Sequence, residues 1–273
     1  MIPYPQIDPT LVKLGPLQLR WYGLMYAISF ILALFFLKKL VVRLKVKMKV
    51  EEVPDLVLYA AMGVIFGGRL GYVLFYNFDF YWNHPGRIIA IWEGGMSFHG
   101  GLLGVLVAGS LFCWKRGYSF HEVADLAGVV APMGLFFGRI GNFINGELYG
   151  RATDVPWCMV FPTGGDICRH PSQLYQAFLE GATLFTILWV LSRKPLPRGV
   201  LFWTMIMGYG GFRFFVEFFR EPDAHLGFIM GPFSMGQVLS FPMFGLGFVM
   251  LIVLLNKHTP PEEAKMKRKR KKD

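Results

Sequence analysis

Seven apolar windows constrain this chain more than any other feature. Each is long enough to cross about 30 Å of hydrocarbon at roughly 1.5 Å per helical residue. They lie near residues 19–37, 55–76, 96–114, 123–144, 173–191, 199–219 and 236–256. Of the 273 residues, 54% are hydrophobic and only 17% charged, a balance foreign to soluble domains and disordered tails. The sequence therefore predicts an all-α polytopic membrane protein with seven transmembrane helices and a small loop cap on one face. It reads as a single integral membrane domain over 1–273, with a basic tail from about 257.

Orientation follows from the basic residues. Nineteen Lys and Arg fall in 38–50, 115–116, 193–198 and the tail from 257. Only five, Lys13, Arg87, Arg151, Arg169 and Arg220, occupy the opposite connections. That bias predicts an external N-terminus and a cytoplasmic C-terminus, as an odd number of spans also requires. The first 17 residues hold Pro3, Pro5, Pro9 and Pro16 with only Asp8 and Lys13 charged, so no cleavable signal peptide is expected. The net charge of +10 then reflects topology, not nucleic-acid binding. The run Lys265–Lys272 either hugs an anionic inner leaflet or is an unstructured anchor.

The connection from about 145 to 171 carries Pro156, Pro162, Gly164 and Gly165 and reads as an irregular cap. Pro171 suits the first turn of the fifth span. The aromatic-rich connection 77–95 suits a membrane interface. Cys113 reads as packing. Cys158 and Cys168 share the 145–171 connection, where an oxidising compartment permits a disulfide, although spacing alone does not fix its geometry. Glycines such as Gly67, Gly68, Gly100, Gly101 and Gly104 allow helices, or a ligand, to approach the backbone closely.

Against this apolar background the polar groups stand out, because an Arg at the centre of a span costs about 2.5–3.5 kcal/mol on insertion scales. Helix rise places Arg69 about 21 Å, Arg139 about 24 Å and Arg213 about 21 Å above the inner side. Tyr22, His99, Asn142, Asn145, Glu147, Tyr209 and Glu217 fall at the same outer level. Snorkelling accounts for Arg20, but it does not explain so many groups delivered by five helices to one side. The pattern predicts an anion-binding pocket in the outer half of the membrane.

Tyr209, Arg213 and Glu217 are spaced i, i+4, i+8 and share one helix face. Arg213 and Glu217 either neutralise each other or also donate to a phosphate, since a guanidinium has five N–H donors. Arg220 lies seven residues beyond Arg213, on a similar face. His99, in Ser97-Phe98-His99-Gly100-Gly101, is a candidate base beside small residues, or a structural histidine. His170 reads as capping or packing. Glu180 and Asp125 have no evident role beyond pairing with a neighbouring helix. The motifs H-E-x-x-H, G-x-S-x-G and G-x-x-x-x-G-K-[ST] are absent, which removes support for metalloprotease, lipase and ATP-driven mechanisms. No cofactor or metal is expected. A transporter for an anionic solute or lipid would use the same arginines but should show polar groups in the inner halves of the spans, which are few. A purely structural subunit does not account for buried charges.

The run Gly138-Arg139-Ile140-Gly141-Asn142-Phe143-Ile144-Asn145-Gly146-Glu147-Leu148-Tyr149-Gly150-Arg151 resembles the signature of the bacterial prolipoprotein diacylglyceryl transferases. Supporting stretches are Trp21-Tyr22-Gly23, Gly67–Tyr72, Gly94–Gly101, Arg169–Tyr175 and Gly208–Arg220, which together span nearly the whole chain. The resemblance implies a seven-helix enzyme of the bacterial inner membrane. It would move the diacylglyceryl group of phosphatidylglycerol onto a lipobox cysteine of a prolipoprotein signal peptide, releasing glycerol 1-phosphate. The partners implied are therefore phosphatidylglycerol, that peptide and membrane lipid. Carried over residue by residue, Arg139 and Arg213 would hold the phosphate and His99 would be the base. Asn142, Asn145 and Glu147 would orient the glycerol, Tyr22, Gly150, Tyr209 and Glu217 would shape the pocket, and Arg69 and Arg220 would assist.

Overall fold

The computed structural model describes residues 1–14, 17–222 and 227–257. The basic tail beyond Lys257, and Pro16, lie outside the described residues. Six helical stretches are long and apolar enough to cross a membrane: Trp21–Arg43, Val50–Phe75, Phe98–Arg116, Phe120–Ile144, Ser172–Leu191 and Met235–Asn256. A seventh apolar helix, Val200–Val216, is shorter. All seven expected windows are thus helical, and large apolar side chains such as Phe75 and Trp114 lie open on the surface. A solvent-facing surface of that kind would aggregate in water and suits lipid. The protein is a polytopic helical membrane protein.

In chain order the elements begin with a hairpin of β1 (Thr10–Leu14) and β2 (Leu17–Arg20), followed by α1 (Trp21–Arg43). Next come α2 (Val53–Phe75), the short α3 (Phe78–Asn83), α4 (Phe98–Arg116) and α5 (Phe120–Ile144). A two-residue pair, β3 (Met159–Val160) with β4 (Cys168–Arg169), lies in the 145–171 connection. The fifth span is composite: α6 (Ser172–Gln176), a π-helical turn at Ala177–Thr183, and α7 (Leu184–Leu191). Then come α8 (Val200–Val216), a small hairpin of β5 (Phe228–Met230) and β6 (Phe233–Ser234), and α9 (Met235–Asn256).

Three small hairpins therefore decorate the helices, which the helical periodicity of the sequence did not announce. Arg20, expected inside the first span, ends β2 opposite Thr10. Helix α1 starts one residue later. Pro171 is the N-cap of α6, one residue outside the first turn.

The chain divides into two compact units, Phe30–Ala124, and Met1–Ser29 together with the described residues from Asp125 onward. In the first, α2 and α4 pack along a glycine seam. A Cβ on Gly63 or Gly67 would collide with the backbone of Gly104 or the carbonyl of Gly100. Only hydrogen at these positions permits that approach. Helix α4 begins because the Ser97 Oγ accepts the Gly100 N–H at 3.2 Å, and it ends at Gly117 in the left-handed region. Arg116 pairs with Glu52 and Asp55 at 2.8 and 2.6 Å, and Tyr118 donates to Glu52. That hydrogen bond to the carboxylate pushes the Tyr118 pKa up.

In the second unit α8 and α9 form a helical hairpin, and the Cys158–Cys168 disulfide closes the connection between α5 and α6 with Cα atoms 5.4 Å apart. Tyr4 donates to the carbonyls of Phe143 and Ile144 at 2.6 and 3.0 Å, tying the N-terminal segment to the end of α5. Asp125, which had no evident role in the sequence, caps a different helix. Its carboxylate accepts from the N–H groups of Gly199 at 2.6 Å and Phe202 at 2.8 Å, at the start of α8. Those donors have no partner within their own helix. Asp125→Ala should therefore strand buried N–H groups and cost about 1–3 kcal/mol, read as a lower thermal unfolding midpoint of the detergent-solubilised protein. An unchanged midpoint would show that the cap contributes nothing.

Candidate functional site

Five charged side chains from α5, the π turn, α8 and the segment just after it meet in one network. Glu180, carried by the π turn, is fully buried between Arg139 and Arg213. Its two carboxylate oxygens lie 3.9 Å from Arg139 Nη2 and 3.8 Å from Arg213 Nη1. Arg213 also pairs with Glu217 at 2.5 Å, and Arg220 reaches the same Glu217 oxygen at 3.4 Å. The order along the network is Arg139, Glu180, Arg213, Glu217, Arg220. Three guanidinium groups face two carboxylates along this row.

The backbone reasons are local. Arg213 and Glu217 are one turn apart, so the i, i+4 pair expected from the sequence forms. Helix α8 stops at Val216, however, and Glu217 is its C-cap. Arg220 is not on a continued helix face. It lies beyond the end, in a bridge with Gly150, and returns to Glu217 from there. The other oxygen of Glu217 accepts from Ser234 Oγ at 2.6 Å. Ser234 in turn caps α9 in a reciprocal box with Gln237. Glu217 thus holds two arginines and the N-terminus of α9 together.

A polar branch extends from Arg139 along the signature run. Arg139 Nη1 donates to Asn142 at 3.4 Å, and Asn142 donates to Glu147 at 2.9 Å. Asn145 donates to the same Glu147 oxygen at 3.1 Å. The turn between them is fixed by Gly146 and Leu148, both with positive φ, at 66° and 56°. Leucine is strained in that region, and its carbonyl is held by Ser172 Oγ at 3.1 Å. Gln173 secures the Glu147 carbonyl at 2.7 Å.

Gly150 sits where three chain segments cross. A Cβ there would overlap the Phe219 carbonyl and both the carbonyl and Cβ of His170. Arg151 locks the crossing by donating to the carbonyls of Arg220 at 3.0 Å and Glu217 at 3.2 Å. His170 packs between Tyr175 and Phe219, as expected of a packing residue, and burial pushes its pKa down, favouring the neutral ring. Tyr22 lies against Gly141, with its hydroxyl 3.4 Å from that of Tyr26. Tyr209 sits one turn before Arg213 on α8, half-buried.

Two expected site residues belong to the other compact unit. Arg69, 3% exposed, donates to the carbonyls of Ile88 at 2.8 Å, Arg87 at 2.6 Å and Gly95 at 3.3 Å, and also to that of Gly94. Its guanidinium is engaged in fixing the 77–95 connection. His99 is exposed in the first turn of α4, edge-on to Phe98. Among the described residues no group of three His, Cys, Asp or Glu side chains is arranged to hold a metal ion. Sequence reasoning missed Glu180, Ser234 and Arg151. For Glu180 the available signal was the cost of a carboxylate inside an apolar span.

The class so defined is a multi-pass helical membrane protein with a buried arginine–carboxylate network at one end of its helices. The family model for prolipoprotein diacylglyceryl transferase matches residues 9–253. The chain is 54% identical over 258 residues to the phosphatidylglycerol–prolipoprotein diacylglyceryl transferase of Geobacter sulfurreducens, covering 94% of this chain and 99% of that one. To the enzyme of that name in Ectopseudomonas mendocina it is 52% identical over 266 residues, covering 97% and 100%. To that of Oleidesulfovibrio alaskensis it is 52% identical over 252 residues, covering 92% and 94%. The chain belongs to the prolipoprotein diacylglyceryl transferase family.

The crossing at Gly150 generates a stability prediction. Gly150→Ala should cost about 1–3 kcal/mol by overpacking against backbone that cannot yield. Gly134→Ala, where nothing lies within 4 Å of the added carbon, should be neutral or stabilising. Thermal midpoints of the two variants in one detergent compare them directly, and equal midpoints would refute the crossing argument.

Proposed function

We infer that this protein transfers the diacylglyceryl group of phosphatidylglycerol to the lipobox cysteine of a prolipoprotein. The observation that carries the reading is the Arg139–Glu180–Arg213–Glu217–Arg220 network, in a chain about half identical to enzymes of that name over nearly their whole length. A phosphodiester carries one negative charge, and guanidinium groups are well suited to bind it.

The reaction joins the cysteine sulfur to the glyceryl carbon that bears the phosphate. That carbon's bond to the phosphate oxygen breaks, with its electron pair staying on oxygen. The thiol proton goes to a base, a thioether forms, and glycerol 1-phosphate leaves. A free thiol near pKa 8.5 is mostly protonated at neutral pH, so a base or a positive field is needed. Arg139 and Arg213 meet the phosphate and the charge developing on it. Asn142, Asn145 and Glu147 orient the glycerol, while Tyr22, Gly150, Tyr209 and Glu217 shape the pocket. Arg220 assists through Glu217. His99 is the candidate base. The chain works as one integral domain of the bacterial inner membrane, with its N-terminus outside and its C-terminus cytoplasmic. The distribution of Lys and Arg supports that orientation.

Purified protein incubated with phosphatidylglycerol and a lipobox peptide should add one diacylglyceryl mass to the peptide, read by mass spectrometry. A peptide of unchanged mass would end this reading. Arg139→Ala or Arg213→Ala should lower transfer at least about tenfold while the protein stays folded, since losing a partner of a buried charged contact costs about 2–5 kcal/mol. Normal turnover by folded variants would contradict phosphate binding there. His99→Gln should depress the rate at neutral pH. Near wild-type rates across roughly pH 6–9 would remove His99 as the base.

A further inference from the structure

Glu180 is the member of the network that the reaction as described does not use. It is fully buried, yet among the described residues neither carboxylate oxygen takes a hydrogen bond. Its contacts with Arg139 and Arg213, at 3.9 and 3.8 Å, are ion pairs too long for hydrogen bonds. Glu217 contrasts with it, gripping Arg213 at 2.5 Å and Ser234 at 2.6 Å. A buried carboxylate with only long-range partners is expensive for stability alone. It also sits on a π turn inside an otherwise α-helical span, a distortion frequent at functional sites.

Charge changes during the transfer. The departing group starts as a phosphodiester monoanion. It ends as a phosphomonoester, which adds a second negative charge at neutral pH because the second ionisation lies near about 6. The electron pair from the broken carbon–oxygen bond is the source. Without Glu180 the two arginines would share only Glu217, on Arg213, as a buried counter-charge and would bind that dianion more tightly, so that the product would remain in the site.

Resting on the transferase reading, we propose that Glu180 is a positioning residue that makes the arginine pair selective for a monoanionic phosphodiester and expels the dianionic phosphomonoester product. Its carboxylate holds Arg139 and Arg213 apart by attraction to both. It spares their N–H donors from short hydrogen bonds to itself and repels the charge added to the phosphate. Because it never contacts the reacting atoms, it acts only through the two arginines and the field.

The test compares wild type, Glu180→Gln and Glu180→Asp in transfer from phosphatidylglycerol to a lipobox peptide. Two soluble inhibitors are used: glycerol 1-phosphate, the dianion, and glycerophosphoglycerol, the monoanion. Glu180→Gln should tighten inhibition by glycerol 1-phosphate roughly tenfold or more and by glycerophosphoglycerol clearly less, because one buried repulsive charge is removed. Its kcat should fall without a rise in KM for phosphatidylglycerol, as product release becomes limiting. Glu180→Asp, which keeps the charge, should restore weak inhibition by the dianion. Unchanged inhibition in Glu180→Gln, or equal tightening for both anions, overturns the proposal. So does tenfold tighter product inhibition in Glu180→Asp, which keeps that measurement decisive if the glutamine variant does not fold. No transfer by the wild-type protein would sink the functional reading itself, whereas transfer with unaltered product inhibition sinks only the role of Glu180.

Discussion

Charges removed from water must find partners, and in this protein the alternating row Arg139, Glu180, Arg213, Glu217, Arg220 satisfies that demand. The row joins the end of α5, the π turn of the fifth span, the end of α8 and the segment beyond it. Removing Arg213, which faces both carboxylates, takes a partner from each, and breaking buried pairs in this way is far more costly than the net worth of the intact pairs. Glu217 extends the row to the start of α9 through Ser234. The same contacts that hold these elements therefore set the electrostatic character of the site.

Arginine is used in two physically different ways. Arg69 and Arg151 direct their donors to backbone carbonyls, four for the former and two for the latter, and so fasten connections that have no helix or sheet to order them. Such a guanidinium is committed, because releasing it would cost several carbonyls a hydrogen bond at once. Arg139 and Arg213 face carboxylates instead, and an incoming phosphate can take part in the same charge balance. Burial and helix depth do not separate the two uses. Only the identity of the acceptor does.

Residue spacing made some contacts legible and concealed others. The Arg213–Glu217 pair follows from a four-residue interval on one helix, and the Asn142–Glu147 branch lies within the signature run. Arg220 reaches the site for a reason that spacing cannot supply. Helix α8 ends at Val216, and the chain bends back to pair with Gly150, seventy residues earlier. Glu180 was visible only as an unexplained acid in an apolar span, since nothing in its neighbourhood along the chain foretells two arginines from other helices. Asp125 was equally opaque, because capping α8 from α5 is a contact between segments far apart in sequence.

The sequence alone determined the membrane class, the seven helical windows and the family, because hydrophobic length and local motif order are properties of short stretches read one at a time. Tertiary structure decided which polar groups meet. It placed Glu180 between Arg139 and Arg213 and turned Arg220 back onto Glu217, while Arg69 became a clasp for the 77–95 connection. The physical reason is that ion pairing depends on separation in space, and side chains tens of residues apart acquire a distance only when their helices pack.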